Sequence, residues 1–166
     1  VLRGEKTQTR RIVKDGKPLG NFEETIKHAP YKVGEVVAVA QCYLDIGSPQ
    51  FDKFGYDVPG NTNKMFVKGE LMPHKIKITN VRIERLQDIS DEDCFCEGIF
   101  YCTPAYVKNT KSNFGFQFHK GVLYMFDTAR EAFAALIDKV SGKGTWESNP
   151  YVWVYDFELG KKWDLE

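Results

Sequence analysis

The segment GEKTQTRR, Gly4 to Arg11, concentrates a lysine, two arginines and several hydroxyl or amide side chains near the start of the chain. If Lys6 and Thr9 lie side by side, a neutral lysine amine can accept the threonine hydroxyl proton and make Thr9 a nucleophile. The reaction would still require an acid that protonates the leaving group. The segment therefore admits nucleophilic catalysis, but on composition alone it is more typical of a solvated strand end.

The backbone conformation of this segment decides between the two interpretations. In an extended strand successive side chains alternate, so Lys6 shares a face with Gln8 and Arg10 while Thr9 faces the other way. A turn instead allows Lys6 and Thr9 to be neighbours. The elements around the segment therefore determine which of its side chains meet.

Local patterns predict the elements in the first third of the chain. Thr9 to Val13 contains β-branched residues and predicts a strand. Asn21 followed by Glu24 predicts an N-capped helix. The apolar run from Gly34 to Tyr43 predicts a buried strand, and the Gly, Pro, Asn and Asp content of Leu44 to Asn63 predicts a long loop.

The central third combines a long strand and a short acidic helix. HKIKITNVRIERL, residues 74–86, alternates apolar and polar residues, but its apolar face changes parity at Thr79 and Asn80, which predicts a β-bulge. Ser90 then predicts a helix N-cap, with acidic residues in the first turn and Gly98 as the end of the helix.

The last third contains the clearest helix and the last strand. Residues 99–120 predict loops with a short strand at FGFQFH. Thr128 and Glu131 predict a capping box for a helix that ends before Gly142, and YVWVYDFEL, residues 151–159, predicts a central strand. Strands outweigh helices and no βαβ rhythm is present, so the pattern indicates an α+β, mainly β fold around a curled or closed sheet.

Composition limits the classes of function. The 166 residues fit one domain, residues 1–166, and the 23 basic and 23 acidic residues balance, which disfavours general polyanion binding. Four cysteines and no signal peptide or membrane-spanning run predict a cytoplasmic protein with reduced thiols that does not associate with membranes. The chain begins with Val, and VLRG is typical of the last turn of a helix, so we expect that residues upstream are missing.

The spacing Gly4-x-Lys6-x-x-Thr9-x-Arg11 resembles the GxKxxTxR signature of the ASCH family, the activating-signal-cointegrator homology domains related to the PUA RNA-binding domain. Four ordered blocks resemble the long, phage-associated branch of that family and together span nearly the whole chain. They are KTQTRRIVK, YKVGEVVAV, LMPHKIKITNVRIERLQDISDEDCFCEGI and WESNPYVWVYDFE.

The resemblance implies a PUA-like mixed β-barrel with short peripheral helices and a cleft that binds RNA or a modified nucleoside. One small bacterial member is an amidohydrolase that removes the acetyl group from N4-acetylcytidine with a lysine, a threonine and a glutamate. Lys6 and Thr9 match the first two positions, and Glu97, in a stretch similar to the family's A-x-x-E-[GN], matches the third. No cofactor or metal is implied.

The chain departs from the family pattern after the second predicted strand. Long-branch members usually have WVRETW, whereas this chain has AVAQCY, with Ala40 for the arginine, Gln41 for the glutamate and Tyr43 for the tryptophan. A neutral amide at Gln41 weakens the case for catalysis. The residues that we expect to bind the ligand are Gly4, Arg10, Arg11, Gln41, Trp146 and Asn149.

Several of these residues also have structural interpretations. Glu97 beside Gly98 could be a solvated helix end, but a carboxylate at the negative end of a helix favours a positive partner, so we expect it to contact Arg11 or Lys6.

Among the aromatic residues, Trp146 could face the cleft, although most of those near it should pack in the core. Phe54, Tyr43 and Tyr56 in the long loop are weaker candidates for base stacking. Pro150 restricts Asn149 to extended conformations, so Asn149 fits a turn better than a ligand contact.

The cysteines admit a zinc interpretation that their spacing disfavours. The possible ligands are Cys94, Cys96 and Cys102, with His74 and His119 elsewhere. Cys94 and Cys96 lie two apart on a predicted helix and do not face each other, and they lack the spacer of two to four residues that structural zinc sites have. A small apolar packing role suits these cysteines better. The sequence thus predicts an ASCH-type domain that binds RNA or a modified nucleoside and possesses the residues to hydrolyse an N-acylated nucleoside; the alternative is a noncatalytic RNA-binding module.

Overall fold

Two antiparallel sheets and four short α-helices form the part of the protein that the structure, a computed structural model, describes: residues 6–13, 20–102, 113–118 and 122–160. The strands are β1 (Gln8–Ile12), β2 (Val36–Ala38), β3 (Lys75–Arg85), β4 (Phe100–Tyr101), β5 (Phe114–Phe118), β6 (Val122–Phe126) and β7 (Tyr151–Leu159). The helices are α1 (Phe22–Lys27), α2 (Asp91–Cys96), α3 (Ala129–Ser141) and α4 (Thr145–Ser148). The fold is therefore mixed α+β with more residues in strands than in helices; the predicted N-terminal helix turn and His119 lie outside the described residues.

The larger sheet has the order β1-β7-β3-β2, and the smaller one has the order β4-β5-β6. β7 lies between β1 and β3, which confirms the prediction of a central last strand. Val152 and Val154 belong to a core that includes α3, whereas Trp153, Tyr155 and Phe157 belong to a second core on the other face. β7 is thus covered on both faces, which explains its continuous apolar run.

The predicted bulge in β3 is confirmed, because its register with β7 shifts between Ile78 and Asn80. The shift allows Ile78 and Val81 to enter the same core although they lie three residues apart. Three caps are also confirmed: Asn21 for α1, Ser90 for α2 and the Thr128 capping box for α3.

The prediction of a buried strand from Gly34 to Tyr43 is wrong in both length and burial. Only Val36–Ala38 form a strand, at the edge of the sheet, and Val36 is 44% exposed. An edge strand has one neighbour, so its apolar side chains are not covered on both faces as those of β7 are. Val37 to Ala40 instead line a cleft, which is described below.

The predicted long loop contains a 3-10 turn at Pro59–Asn61 and an isolated bridge between Phe51 and Asp57. Buried Asn61 closes it, because its amide accepts a hydrogen bond from the Gln50 main-chain N–H and donates to the Gln50 carbonyl, both at 2.8 Å. Short helix α4 was not predicted, because the Gly and Pro residues around it, in residues 142–150, are typical of a loop.

Candidate functional site

The first feature of the site is an ion pair between the chain start and the end of α2. Lys6 Nζ lies 2.9 Å from Glu97 Oε2, which confirms the predicted contact between Glu97 and Lys6 or Arg11. The Glu97 side chain is only 4% exposed and the Lys6 side chain 30% exposed. The pair therefore lies at a boundary between protein interior and solvent.

Main-chain hydrogen bonds hold this pair in place. The Thr7 N–H donates to the Cys96 carbonyl at 2.9 Å, and the Thr7 carbonyl accepts from the Phe157 N–H at 2.8 Å. Residues just before β1 are thus fixed to both the end of α2 and the central strand. Gly98 follows Glu97 with a φ of 102°, a conformation that favours glycine, and lets the chain turn beside Lys6.

Arg10 lies beneath the pair and joins three carboxylates. Its side chain is 1% exposed and contacts Glu84 at 2.5 Å, Asp93 at 2.8 Å and Glu97 at 3.2 Å. It also donates to the Gln8 side-chain oxygen. A buried guanidinium with this many acceptors is saturated by protein groups, so Arg10 positions Glu97 instead of presenting free donors to a ligand.

Arg82 extends the network along β3. It pairs with Asp156 at 2.9 Å, Asp93 at 2.8 Å and Glu84 at 3.2 Å. Burial opposes its charge, but the neighbouring carboxylates outweigh burial and raise the pKa of Arg82. Burial likewise acts to raise the pKa of Asp156, yet hydrogen bonds from Asn80 and Gln8 and the charge of Arg82 hold that pKa below its usual range.

A cleft of about 590 Å³ opens beside this network. Residues from both faces of β1 line it, because β1 is an edge strand of its sheet. The polar and charged side chains in its wall belong to Lys6, Thr9, Arg10, Arg11, Tyr31, Lys64, Glu97 and Tyr155. The rest of the wall is apolar and comes mainly from Val37 to Ala40, β3 and the C-terminal half of α3. Small-molecule sites combine an apolar wall with a few polar groups in this way.

β1 leaves Thr9 half-buried in the cleft, directly opposite Tyr155 of β7. The alternation expected for a strand therefore holds for Gln8 and Arg10, which contact the acidic residues, while Thr9 occupies the other face. Lys6 precedes the strand, and Lys6 and Thr9 line one cavity although Thr9 lies on the other face from Arg10. The cleft thus holds an amine, a carboxylate and a hydroxyl in its wall.

The remaining expected ligand residues lie in different places. Arg11 is exposed and lines the cleft. Gln41 is half-buried, its main-chain N–H contacts the Met72 sulfur at 3.3 Å, and its Oε1 atom is buried without a hydrogen-bond partner among the described residues. Gly4 lies outside the described residues. Trp146 packs against Phe133, with ring centroids 6.1 Å apart, and belongs to the α3 core instead of the cleft wall.

Asn149 has a structural role, and the expectation of an extended conformation is wrong. Its φ of 43° and ψ of 54° are left-handed, a region that asparagine adopts more readily than most residues. Its N–H donates to the Trp146 carbonyl at 3.1 Å, which ends α4, and its side-chain oxygen accepts from the Gln87 N–H at 2.9 Å. These local hydrogen bonds outweigh the preference of a residue that precedes proline.

Two features of the site were not predicted. One is the Arg10–Arg82 network; its sequence signal was the alternation of Arg82 and Glu84 on one face of β3, together with Asp93 in the acidic turn of α2. The other is Tyr155, one of the aromatic residues near Trp146 of which most were expected to pack in the core. Its ring is buried as expected, but its hydroxyl has no hydrogen-bond partner among the described residues.

The cysteines are free, and Cys94 is fully buried; burial raises the pKa of its thiol to about 12, as suits a small packing residue. Among the described residues, no three His, Cys, Asp or Glu side chains are grouped so that they could hold a metal ion.

Within the part of the chain that the structure describes, no helix has the length and apolar character needed to cross a membrane.

The wall of the cleft combines the Lys6–Glu97 ion pair, the Thr9 hydroxyl and an apolar surface. Comparison of the chain with models of protein families, with curated proteins and with solved structures finds no match.

Proposed function

We propose that this protein is an ASCH-type domain with a PUA-like barrel that acts in the cytoplasm on an N-acylated nucleoside, free or within RNA, and hydrolyses its amide bond. The observation that carries the proposal is the 2.9 Å Lys6–Glu97 ion pair in the wall of the cleft that Thr9 also lines. An amine and a carboxylate joined by a hydrogen bond, with a hydroxyl in the wall of the same cleft, are the types of group that an amidohydrolase uses as base, acid and nucleophile.

The first half of the reaction forms an ester on Thr9. Proton transfer within the Lys6–Glu97 hydrogen bond yields a neutral amine and a carboxylic acid. The Thr9 hydroxyl attacks the acyl carbon while its proton passes to Lys6. The carbon–nitrogen bond then breaks as Glu97 gives its proton to the departing amine, which is the nucleoside base.

The second half restores the enzyme. Ionised Glu97 takes a proton from a water molecule as that water attacks the acyl-threonine carbon. The Lys6 ammonium returns a proton to the Thr9 oxygen as the ester bond breaks. The products are a carboxylic acid and a free nucleoside, and Lys6 and Glu97 regain the protonation states in which the first step began.

The cleft itself suits a nucleoside. Its volume of about 590 Å³ lies within the range of small-molecule sites, and its apolar wall can cover a flat base. Arg11, exposed at the cleft, presents a planar set of donors that fits a phosphate or a base edge. We expect Arg11→Ala to weaken binding whether or not the protein is catalytic.

A noncatalytic RNA-binding module is the second candidate, and the long loop favours it. Four aromatic side chains in this loop and just after it are between 59% and 72% exposed, which is typical of side chains that stack on unpaired bases: Phe51, Phe54, Tyr56 and Phe66. Gln41 has a neutral amide where the ASCH family, which the chain resembles, usually has a glutamate. The loss of that charge also favours a noncatalytic module. The balanced charge of the chain would restrict such a module to specific sites with weak salt dependence.

The test is incubation of the purified protein with N4-acetylcytidine and a small panel of acylated nucleosides, with chromatographic detection of the deacylated products. We expect the Lys6→Ala variant to lose the activity. Lys27→Ala is the matched control, because the Lys27 side chain is exposed on α1 and forms an ion pair with Glu24, outside the cleft. No product across the panel would reject the amidohydrolase and favour the binding module.

A further inference from the structure

Tyr155 holds an unused hydrogen-bond donor at the cleft. The residue is 0% exposed, it lines the cleft, and its hydroxyl has no hydrogen-bond partner among the described residues. A buried polar group without a partner costs free energy, so it requires an explanation. Buried Tyr43 provides the contrast within the same chain, because its hydroxyl accepts a hydrogen bond from the Lys68 N–H at 2.8 Å.

The surroundings of this hydroxyl contain groups of the cleft wall. Tyr31 and Arg11, which both line the cleft, influence its ionisation. The main chain of Tyr31 lowers the pKa of Tyr155, but no hydrogen bond joins Tyr31 to the Tyr155 hydroxyl. The hydroxyl proton therefore still lacks an acceptor among the described residues.

The hydroxyl is suited to donate and not to ionise. Burial raises the pKa of Tyr155 to about 12, so the proton is retained at neutral pH. The ring of Tyr31 covers Tyr155 edge-on, with centroids 5.5 Å apart, and is itself 37% exposed. A ligand that displaces this partly exposed ring would reach the donor, and rotations of exposed side chains are fast.

Position along the strands indicates which part of a ligand would meet the donor. Thr9 and Tyr155 are cross-strand partners, so their Cβ atoms lie about 5 Å apart. A substrate whose acyl carbon approaches Thr9 would extend its base over the Tyr155 side chain. We infer that the Tyr155 hydroxyl donates a hydrogen bond to a ring carbonyl of the base and thereby selects acylated nucleosides whose base possesses such a carbonyl. This inference rests on the proposed function.

The first arm of the test measures stability without ligand. Tyr155→Phe removes only the hydroxyl, and because that hydroxyl has no partner, the melting temperature should stay the same or rise. Tyr43→Phe removes a bonded hydroxyl, so its melting temperature should fall by about 2–4 °C. An equal fall in Tyr155→Phe would mean that the hydroxyl has a partner within the protein and would overturn the inference.

The second arm measures the dissociation constants of two probes by calorimetry. N4-acetylcytidine has a ring carbonyl, whereas the base of N6-acetyladenosine has none. Tyr155→Phe should raise the dissociation constant of N4-acetylcytidine roughly 5- to 10-fold, which corresponds to the loss of one hydrogen bond. The dissociation constant of N6-acetyladenosine should stay within about twofold of the wild-type value. Tyr43→Phe should change neither constant.

The outcomes separate this inference from the proposed function. If the wild type binds N4-acetylcytidine and Tyr155→Phe binds it equally well, the inference is wrong and the proposed function stands. An equal loss of affinity for both probes would also overturn the inference, because the hydroxyl would then not distinguish a base with a ring carbonyl from a base without one. If the wild type binds neither probe, the proposed function fails and the inference fails with it.

Discussion

At the scale of single residues, the basic segment contains two arginines with different environments. Sequence spacing could not distinguish them, and both were expected to bind ligand. Arg10 has a side chain 1% exposed and three carboxylate partners, whereas Arg11 is exposed at the cleft. The distinction depends on which face of β1 meets α2, and that is a long-range contact that local pattern does not encode.

Arg10→Ala should destabilise the protein by about 3–5 kcal/mol, because it leaves Glu84, Asp93 and Glu97 without their shared cation. Urea denaturation followed by circular dichroism measures the change. Arg11→Ala is the control and should cost less than about 0.5 kcal/mol, as is usual for an exposed side chain. Equal effects of the two substitutions would mean that Arg10 does not organise the network.

Glu97→Gln keeps the shape of the side chain but removes the proton donor of the proposed reaction. We expect turnover of N4-acetylcytidine to fall by about 10²–10⁴-fold, the usual contribution of a general acid. Binding of the same compound, measured by calorimetry, should change much less. A turnover number within a few-fold of wild type would exclude Glu97 as the acid.

At the scale of elements, local signals were the most successful predictors. The caps Asn21, Ser90 and Thr128 and the bulge near Asn80 depend on short-range chemistry, and all four are present. The prediction for β2 failed because an apolar run alone does not reveal whether it lies between two strands or at an edge beside a cleft.

The α2 cap should affect function as well as stability. Ser90→Ala and Thr128→Ala each remove a capping hydrogen bond and should each cost about 1 kcal/mol in urea denaturation. Because Glu97 is the C-cap of α2, only Ser90→Ala should also lower turnover. Thr128→Ala is the matched control, since α3 carries neither Lys6, Thr9 nor Glu97. Equal turnover in the two variants would contradict a positioning role for α2.

At the scale of the whole molecule, charge is balanced overall but concentrated locally. Lys6, Arg10 and Arg82 connect through Glu84, Asp93, Glu97 and Asp156 into one network that ties α2 to three strands of the larger sheet. Net charge and composition could not predict this network, because its members lie far apart in sequence. They become neighbours only when β1, β3 and β7 pair.

The network makes stability depend on pH in the acidic range. The folded pKa of Asp156 is lower than its ordinary value of 3.8, so its ionised form stabilises the native state above that value. Stability should fall as the pH decreases through about 4 and below, because the unfolded state then binds the proton more readily. Urea midpoints measured from pH 7 to pH 3 test this, and Asp156→Asn should show a shallower decline. A decline of the same steepness in the variant would exclude Asp156 as a contributor.

The proposed function depends on Thr9 as the nucleophile at the edge of β1, and one comparison of two threonines tests it most directly. Thr7 lies two residues earlier, is exposed, and takes part through its main chain in the hydrogen bonds that hold the segment. The measurement is the rate of cytidine release from N4-acetylcytidine by wild type, Thr9→Ala and Thr7→Ala. We predict that Thr9→Ala abolishes release while Thr7→Ala retains it; undiminished release by Thr9→Ala would contradict the threonine mechanism.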